Sequence, residues 1–253
     1  MPMRCSTGAM RRWGREEKRS MATSSRVSPI YLLAGGPGSR HLGRDPLLTR
    51  ALASSGVAEP SVAYVGAASG DNRAFMAMMG HLLRQCGARE VTLAPLAGRR
   101  ANLDKAMAVL ERADVVFMSG GDVEAGMRVL QERGIGPYLH SLYQAGKAFV
   151  GISAGSIMLA QQWVRWEGDD DASAQLFPCL GLAPILCDTH GEAEGWEELR
   201  TLLKLAPAGP VGYGIPSGAA LVVHRDGTVE PLGGPVQRFV RRGRRVVRLQ
   251  DLT

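Results

Sequence analysis

Ala148-Phe149-Val150-Gly151-Ile152-Ser153-Ala154-Gly155 is a short apolar run that closes on a serine with a glycine two positions to either side. The run from Ala148 to Ile152 predicts a buried strand, and the segment from Ala154 to about Trp163 predicts a helix. A serine between the two, with small neighbours, fits a tight strand-to-helix turn that has little room for side chains and exposes the hydroxyl. That turn also aims the free N–H groups and partial positive charge of the helix start at any oxyanion formed above Ser153. The Ala154 N–H is therefore one expected donor.

Outward from this unit the same alternation repeats. Strands are expected at Ile30 to Ala34, Ser61 to Gly66, Glu90 to Leu93 and Val115 to Met118. Helices are expected at about Asp45 to Ser55, Arg73 to Cys86, Asn102 to Arg112, Val123 to Arg133 and Gly136 to Ala145. This β-α-β order predicts a three-layer α/β/α fold around a mostly parallel central sheet. Several strands run into glycine-rich turns, namely Ala34-Gly35-Gly36-Pro37-Gly38, Gly66-Ala67-Ala68-Ser69-Gly70 and Ser119-Gly120-Gly121-Asp122. The carboxyl ends of parallel strands form the ligand crevice, so these turns should rim a site. Gly120-Gly121, lacking side chains, lets the backbone approach a substrate carbonyl and is the second expected oxyanion donor. After Pro207 the texture changes to strand and turn: Ala219 to Val223, Asp226-Gly227, Thr228 to Leu232, then Arg238 to Val240 and Arg245 to Leu249 around Gly243. Asp-Gly between alternating strands is a hairpin signal, and an antiparallel β extension at the C-terminal edge of the sheet is expected.

A chain of 253 residues, 45% hydrophobic and 21% charged, can bury the core of one α/β domain without covalent staples. No apolar run approaches the roughly 20 residues a membrane-crossing helix needs. Cys5, Cys86, Cys179 and Cys187 show no C-x-x-C spacing, which fits a reducing, cytoplasmic setting, with Cys179 and Cys187, in an apolar stretch, read as small buried hydrophobes. The formal charge of +6 is concentrated in residues 1 to 28, where seven basic residues face Glu16 and Glu17 for a net of +5. That segment lacks the apolar core of a secretion signal and reads as a disordered extension, with Met21 as an alternative translation start. Residues 29 to 253 form the expected single domain.

A serine hydroxyl needs a base, and five histidines are available: His41, His81, His140, His190 and His224. His81 and His140 fall within helical periods, and His224 leads into a hairpin turn. His190 closes the strand-like run Ala183 to Asp188 and opens a glycine-containing loop, the kind of position that carries function, although a solvated loop histidine would have the same surroundings.

The Ser119-Gly120-Gly121-Asp122 loop, the Gly-Ile-Ser-Ala-Gly turn, Asp188-Thr189-His190 and Gly214-Ile215-Pro216-Ser217-Gly218 occur in an order and spacing that resemble peptidase family S51. That family includes dipeptidase E and cyanophycinase on a class I glutamine amidotransferase-like fold. The likeness spans about Ile30 to Gly234. It implies a serine-type hydrolase acting on a small peptide, with Ser153 as nucleophile, His190 as general base, Gly121 and Ala154 as oxyanion donors, and no metal or cofactor. Cyanophycinase-like relatives carry an acid in the turn that here holds Ser217, a residue that can hydrogen-bond an imidazole but cannot compensate its charge. The dipeptidase-like pattern places an acid after the elbow helix, where Glu167, Asp169, Asp170 and Asp171 stand; Asp169 is the choice, with Asp188 a further candidate. Dipeptidase relatives hold an aspartate side chain with an arginine after the histidine. Arg200 and Lys204 are the only basic residues soon after His190, and Arg200 is the candidate substrate contact, although it lies outside a matching motif.

Other readings fit less well. An α/β-hydrolase places its acid and base on widely separated later strands, and too little chain follows His190 for that. A glutaminase would carry cysteine at the elbow. The arginines around Gly243 sit in an expected edge hairpin, where charge blocks edge pairing, and no aromatics interleave them for base stacking, so nucleic acid is not the expected partner. A sheet edge could pair two copies into a homodimer. The rival from a different class is a degenerate domain that binds a peptide or small ligand without turnover, a reading that Ser217 favours.

Overall fold

The apolar runs become β1 (Ile30–Leu33), β2 (Ser61–Val65), β3 (Glu90–Leu93), β4 (Val115–Met118) and β5 (Ala148–Ile152), parallel strands in the order β1-β5-β4-β2-β3. They come from a computed structural model that describes residues 28–35, 44–168 and 173–253. Residues 1–27 of the expected basic extension, His41 and Gly36 to Gly38 of the first glycine turn lie outside the described residues.

Every residue of β1, β2 and β4 is buried, which is why each reads as an unbroken apolar run. Alternate side chains serve two different layers. Ile30, Leu32, Val116, Met118 and Phe149 share a core with Leu110, Leu130, Leu139 and Met158, whereas Tyr31, Leu33, Val115, Phe117 and Val150 share one with Leu48, Leu52, Met79 and Leu83. The first layer holds α3 (Leu103–Arg112), α4 (Val123–Glu132), α5 (Gly136–Gln144) and α6 (Ala154–Leu159). The second holds α1 (Pro46–Ala53) and α2 (Arg73–Gln85). Four helix starts are set by side-chain caps: Asp45 accepts from Leu47 N and Leu48 N with Pro46 following, Asn72 from Phe75 N, Asn102 from Lys105 N and Asp122 from Ala125 N. The α/β/α sandwich expected from the sequence is the observed architecture.

Two expectations are corrected. The elbow helix stops at Leu159 rather than near Trp163: Ala160 turns extended, and the chain enters β6 (Gln162–Arg165), paired antiparallel with β7 (Gln175–Pro178). A hairpin here buries Trp163, Val164 and Phe177 in the first-layer core. The antiparallel extension of the central sheet is β10 (Ala220–Val223) and β11 (Val229–Leu232), with β10 against β1. The arginine-rich hairpin, β12 (Gln237–Arg242) and β13 (Arg245–Arg248), belongs instead to a second sheet of order β13-β12-β9-β8, with β8 (Leu186–Thr189) parallel to β9 (Val211–Ile215). Phe239 decides this, because it is fully buried beneath α7 (Glu197–Leu205) rather than lying along the central sheet. Among the described residues no helix is long and apolar enough to cross a membrane.

Candidate active site

The elbow follows from steric exclusion. Ser153 sits at φ 52°, ψ −125°, a backbone conformation costing about 1–3 kcal/mol for a residue with a Cβ, and its N–H bonds Leu33 O of β1 at 2.9 Å. A Cβ on Gly155 would lie 2.1 Å from Met118 O, and one on Gly151 would lie 2.7 Å from Gly155 O. Both flanking glycines are therefore places where backbone touches backbone. Ser156, buried behind the turn, ties it again to Leu33 O at 2.8 Å.

Beside the serine lies the end of β4. A Cβ on Gly120 would meet the Ser153 Cβ at 3.3 Å, so the bare backbone of this loop is what leaves space over the hydroxyl. Gly121, at φ 142°, packs against Ala68 so closely that a Cβ would sit 2.1 Å from Ala68 O, and Asp122 N bonds that same carbonyl at 2.8 Å. Gly120 and Ala154 thus adjoin Ser153, and Gly121 ties the same loop to the turn after β2.

The histidine arrives from the second sheet. His190 follows β8 directly, has φ 47°, and places its Nε2 2.7 Å from Ser153 Oγ. Its N–H bonds Ile215 O at 2.9 Å, continuing the parallel register that pairs Thr189 with Ile215, so the loops after β8 and β9 lie side by side. Buried Trp196 pins the His190 loop: its N–H bonds Gly191 O at 2.8 Å, and its ring fills the space where a Cβ on Gly214 would sit, 2.7 Å away. Of the other histidines, His140 bonds Leu180 O at 2.6 Å, His224 meets Glu230 at 3.1 Å and His81 is exposed on α2.

Ser217 stands on the neighbouring loop, where its N–H donates to Glu192 Oε1 at 3.0 Å. Burial works to raise the Glu192 carboxyl, but hydrogen bonds from the Ser217 side chain and from backbone N–H groups, together with attraction to His190, outweigh it and hold the group below the ordinary range. Glu192 was not singled out from the sequence; its contact with Ser217 spans 25 residues, and the only local signal is an acid two positions after the histidine. Asp169, Asp170 and Asp171 lie outside the described residues. Glu167 belongs to the β6–β7 hairpin, accepting from Gln175 Nε2 at 3.3 Å. Arg200, expected at the substrate, is engaged elsewhere: its guanidinium donates to Gly195 O at 2.9 Å and Val246 O at 3.4 Å and lies 5.0 Å over the Phe239 ring, joining α7 to the second sheet.

Asp188 is only 4% exposed, and burial pushes its carboxyl up to about 7. N–H bonds from Thr189 and Leu199 oppose the rise, and the charges of Glu198 and Glu192 add to it. The bond from Leu199 places Asp188 at the start of α7. In the unfolded chain this carboxyl ionises near pH 4, so between about pH 4 and 7 the folded state binds more protons. Its contribution to stability is therefore full below pH 4 and declines as pH rises to about 7, by roughly 4 kcal/mol at most. Asp188→Asn keeps an acceptor for the N–H groups without the titration. Thermal melts from pH 5 to 8 should show the natural chain losing more Tm than the variant; parallel slopes would remove Asp188 as the source.

Cys86 and Cys187 are buried and Cys179 is partly so, with burial pushing the Cys179 thiol up to about 12, as inert packing residues require. Among the described residues no cluster of three or more His, Cys, Asp or Glu could hold a metal ion.

A serine elbow on a doubly covered parallel sheet, with a histidine delivered to it from a later strand, defines a class of α/β proteins built around one serine–histidine pair. Residues 31–230 match the model of Peptidase family S51, and the chain belongs to that family. It is 27% identical over 214 residues to a protein named cyanophycinase from Synechococcus elongatus and to another of that name from Thermosynechococcus vestitus, in each case over 81% of this chain. The chain spans 65% of the length of those two relatives. The fold matches the crystal structure of a peptidase from an acI-B1 Actinobacterium with a TM-score of 0.68, at 17% identity, over 90% of this chain and 98% of that one.

Proposed function

We propose that the protein is a serine-type hydrolase that cleaves a short peptide or amide through an acyl-enzyme. The observation that carries this reading is the 2.7 Å contact between Ser153 Oγ and His190 Nε2 on a strained elbow. In the forward step His190 Nε2 takes the Ser153 proton as Oγ adds to the substrate carbonyl carbon, and the oxyanion is met by the N–H groups of Ala154 and Gly121. The imidazolium then gives its proton to the leaving amine as the C–N bond breaks. Water, deprotonated by the same nitrogen, adds to the acyl carbon and releases the acid, returning Ser153 to its starting state. No step calls for a metal.

Membership of a peptidase family and the cyanophycinase-named relatives support a peptide substrate, and neither decides between dipeptidase-like and cyanophycinase-like specificity. With Arg200 engaged by Phe239 and the backbone, an aspartate-binding arginine has no support here. The competing reading, a domain that binds without turnover, draws on Ser217 standing where such relatives are expected to carry an acid. Incubation with Asp-containing and neutral dipeptides, followed by mass spectrometry of the products, separates the two readings. Release of free amino acids by the natural chain and not by Ser153→Ala supports hydrolysis. Saturable binding with no products from either protein supports the second reading.

A further inference from the structure

Proton transfer from Ser153 uses Nε2 of His190, and an imidazolium formed at an exposed loop needs a countercharge near Nδ1. The elements around the ring carry five described carboxyl groups: Asp188 on β8, Glu192 and Glu194 on the loop that follows His190, and Glu197 and Glu198 on the first turn of α7. Asp188 is buried, and one of its oxygens is held by the Thr189 N–H at 2.6 Å. Glu198 is attracted to His190, but burial and the charges of Glu194 and Glu197 outweigh that attraction and raise its carboxyl, so it is less readily ionised than Glu192.

Glu192 differs from both. Its Oε1 is fixed by the Ser217 N–H at 3.0 Å, on the loop that the β8–β9 register sets beside His190. The His190 N–H bond to Ile215 O at 2.9 Å holds the two loops together two residues from Ser217. A carboxylate bound in this way has one oxygen committed to the neighbouring loop, and its charge is attracted to His190.

We propose that Glu192 is the positioning residue of the pair: its carboxylate, held by Ser217, stabilises the His190 imidazolium formed when Nε2 accepts the Ser153 proton. The inference rests on the hydrolase reading for its consequence but not for its test. Gln at 192 keeps an oxygen that can accept from the Ser217 N–H, so Glu192→Gln removes the charge and spares the loop contact.

The experiment is a pH titration of the His190 ring by NMR in histidine-labelled full-length protein, the signal assigned by its loss in His190→Gln, together with the rate at which a small fluorophosphonate adds to Ser153. In Glu192→Gln the midpoint of the ring titration should fall by about 0.5–1 pH unit and phosphonylation should slow roughly tenfold or more. Glu192→Asp should recover part of both effects. Glu192→Gln with Ser217→Glu, which places a carboxylate on the partner loop, should recover more. An unchanged midpoint in Glu192→Gln overturns the proposal, as does a midpoint that moves in Asp169→Asn and not in Glu192→Gln. Slower phosphonylation without a shift in the titration would mark Glu192 as a loop contact only and also overturn it. Absence of any adduct on Ser153 in the natural chain counts against the hydrolase reading, while the titration still decides the coupling between Glu192 and His190.

Discussion

His190→Ala should lose at least about a thousandfold in peptide hydrolysis and in phosphonylation of Ser153, with a change in stability within about 1 kcal/mol. The two halves of the expectation have separate causes. The 2.7 Å bond to Ser153 is the only histidine contact with the serine among the described residues, so its removal leaves an unactivated alcohol. The ring itself is exposed, and the loop is held by Trp196 and by the His190 N–H bond to Ile215, neither of which depends on the side chain. Rates and thermal melts of the same preparation check both halves. Normal turnover in the variant would dismiss His190 as the base.

Gly155→Ala is the change expected to damage the fold and the site together. The added methyl would meet Met118 O at 2.1 Å, Met118 C at 2.6 Å and Ser119 O at 2.9 Å, all backbone atoms that no rotamer change can move aside. The start of α6 must then separate from the end of β4, which costs at least about 3 kcal/mol and displaces the Ala154 N–H from the space above Ser153. Gly80→Ala, in the exposed-ended helix α2 with its nearest contact at 3.5 Å, is the matched control and should stabilise by about 0.5–1 kcal/mol. Chemical denaturation of both variants measures the contrast. Equal stabilities would mean that the contact between the elbow and β4 is looser than its geometry states.

These two sites also mark how far the sequence could be read. The glycines at 151 and 155 announce the elbow because the same backbone contacts that require them also determine the motif. The parallel strands are readable because burial on both faces leaves only apolar choices, as at Val115-Val116-Phe117-Met118, and the helix starts are readable because Asp45, Asn72, Asn102 and Asp122 cap them. What the sequence hides is how distant segments pair. Nothing local says that β12 joins β9 rather than β10, so the arginine hairpin reads as an extension of the central sheet. Trp163 and Val164 suit a helix as well as a strand until Phe177 is seen to pair across from Trp163. The site follows the same division. Ser153 and His190 are singled out by their local surroundings, whereas the Glu192–Ser217 contact and the stacking of Arg200 on Phe239 exist only once β8, β9 and β12 are side by side.

Activation of Ser153 as a nucleophile can be tested without knowing the substrate. The purified chain is treated with a small serine-directed organophosphonate and its intact mass is read, with Ser153→Ala as control. A single adduct on the natural chain that is absent from the variant is the predicted result. A folded chain that takes up no adduct, or one that labels equally in Ser153→Ala, would contradict that activation.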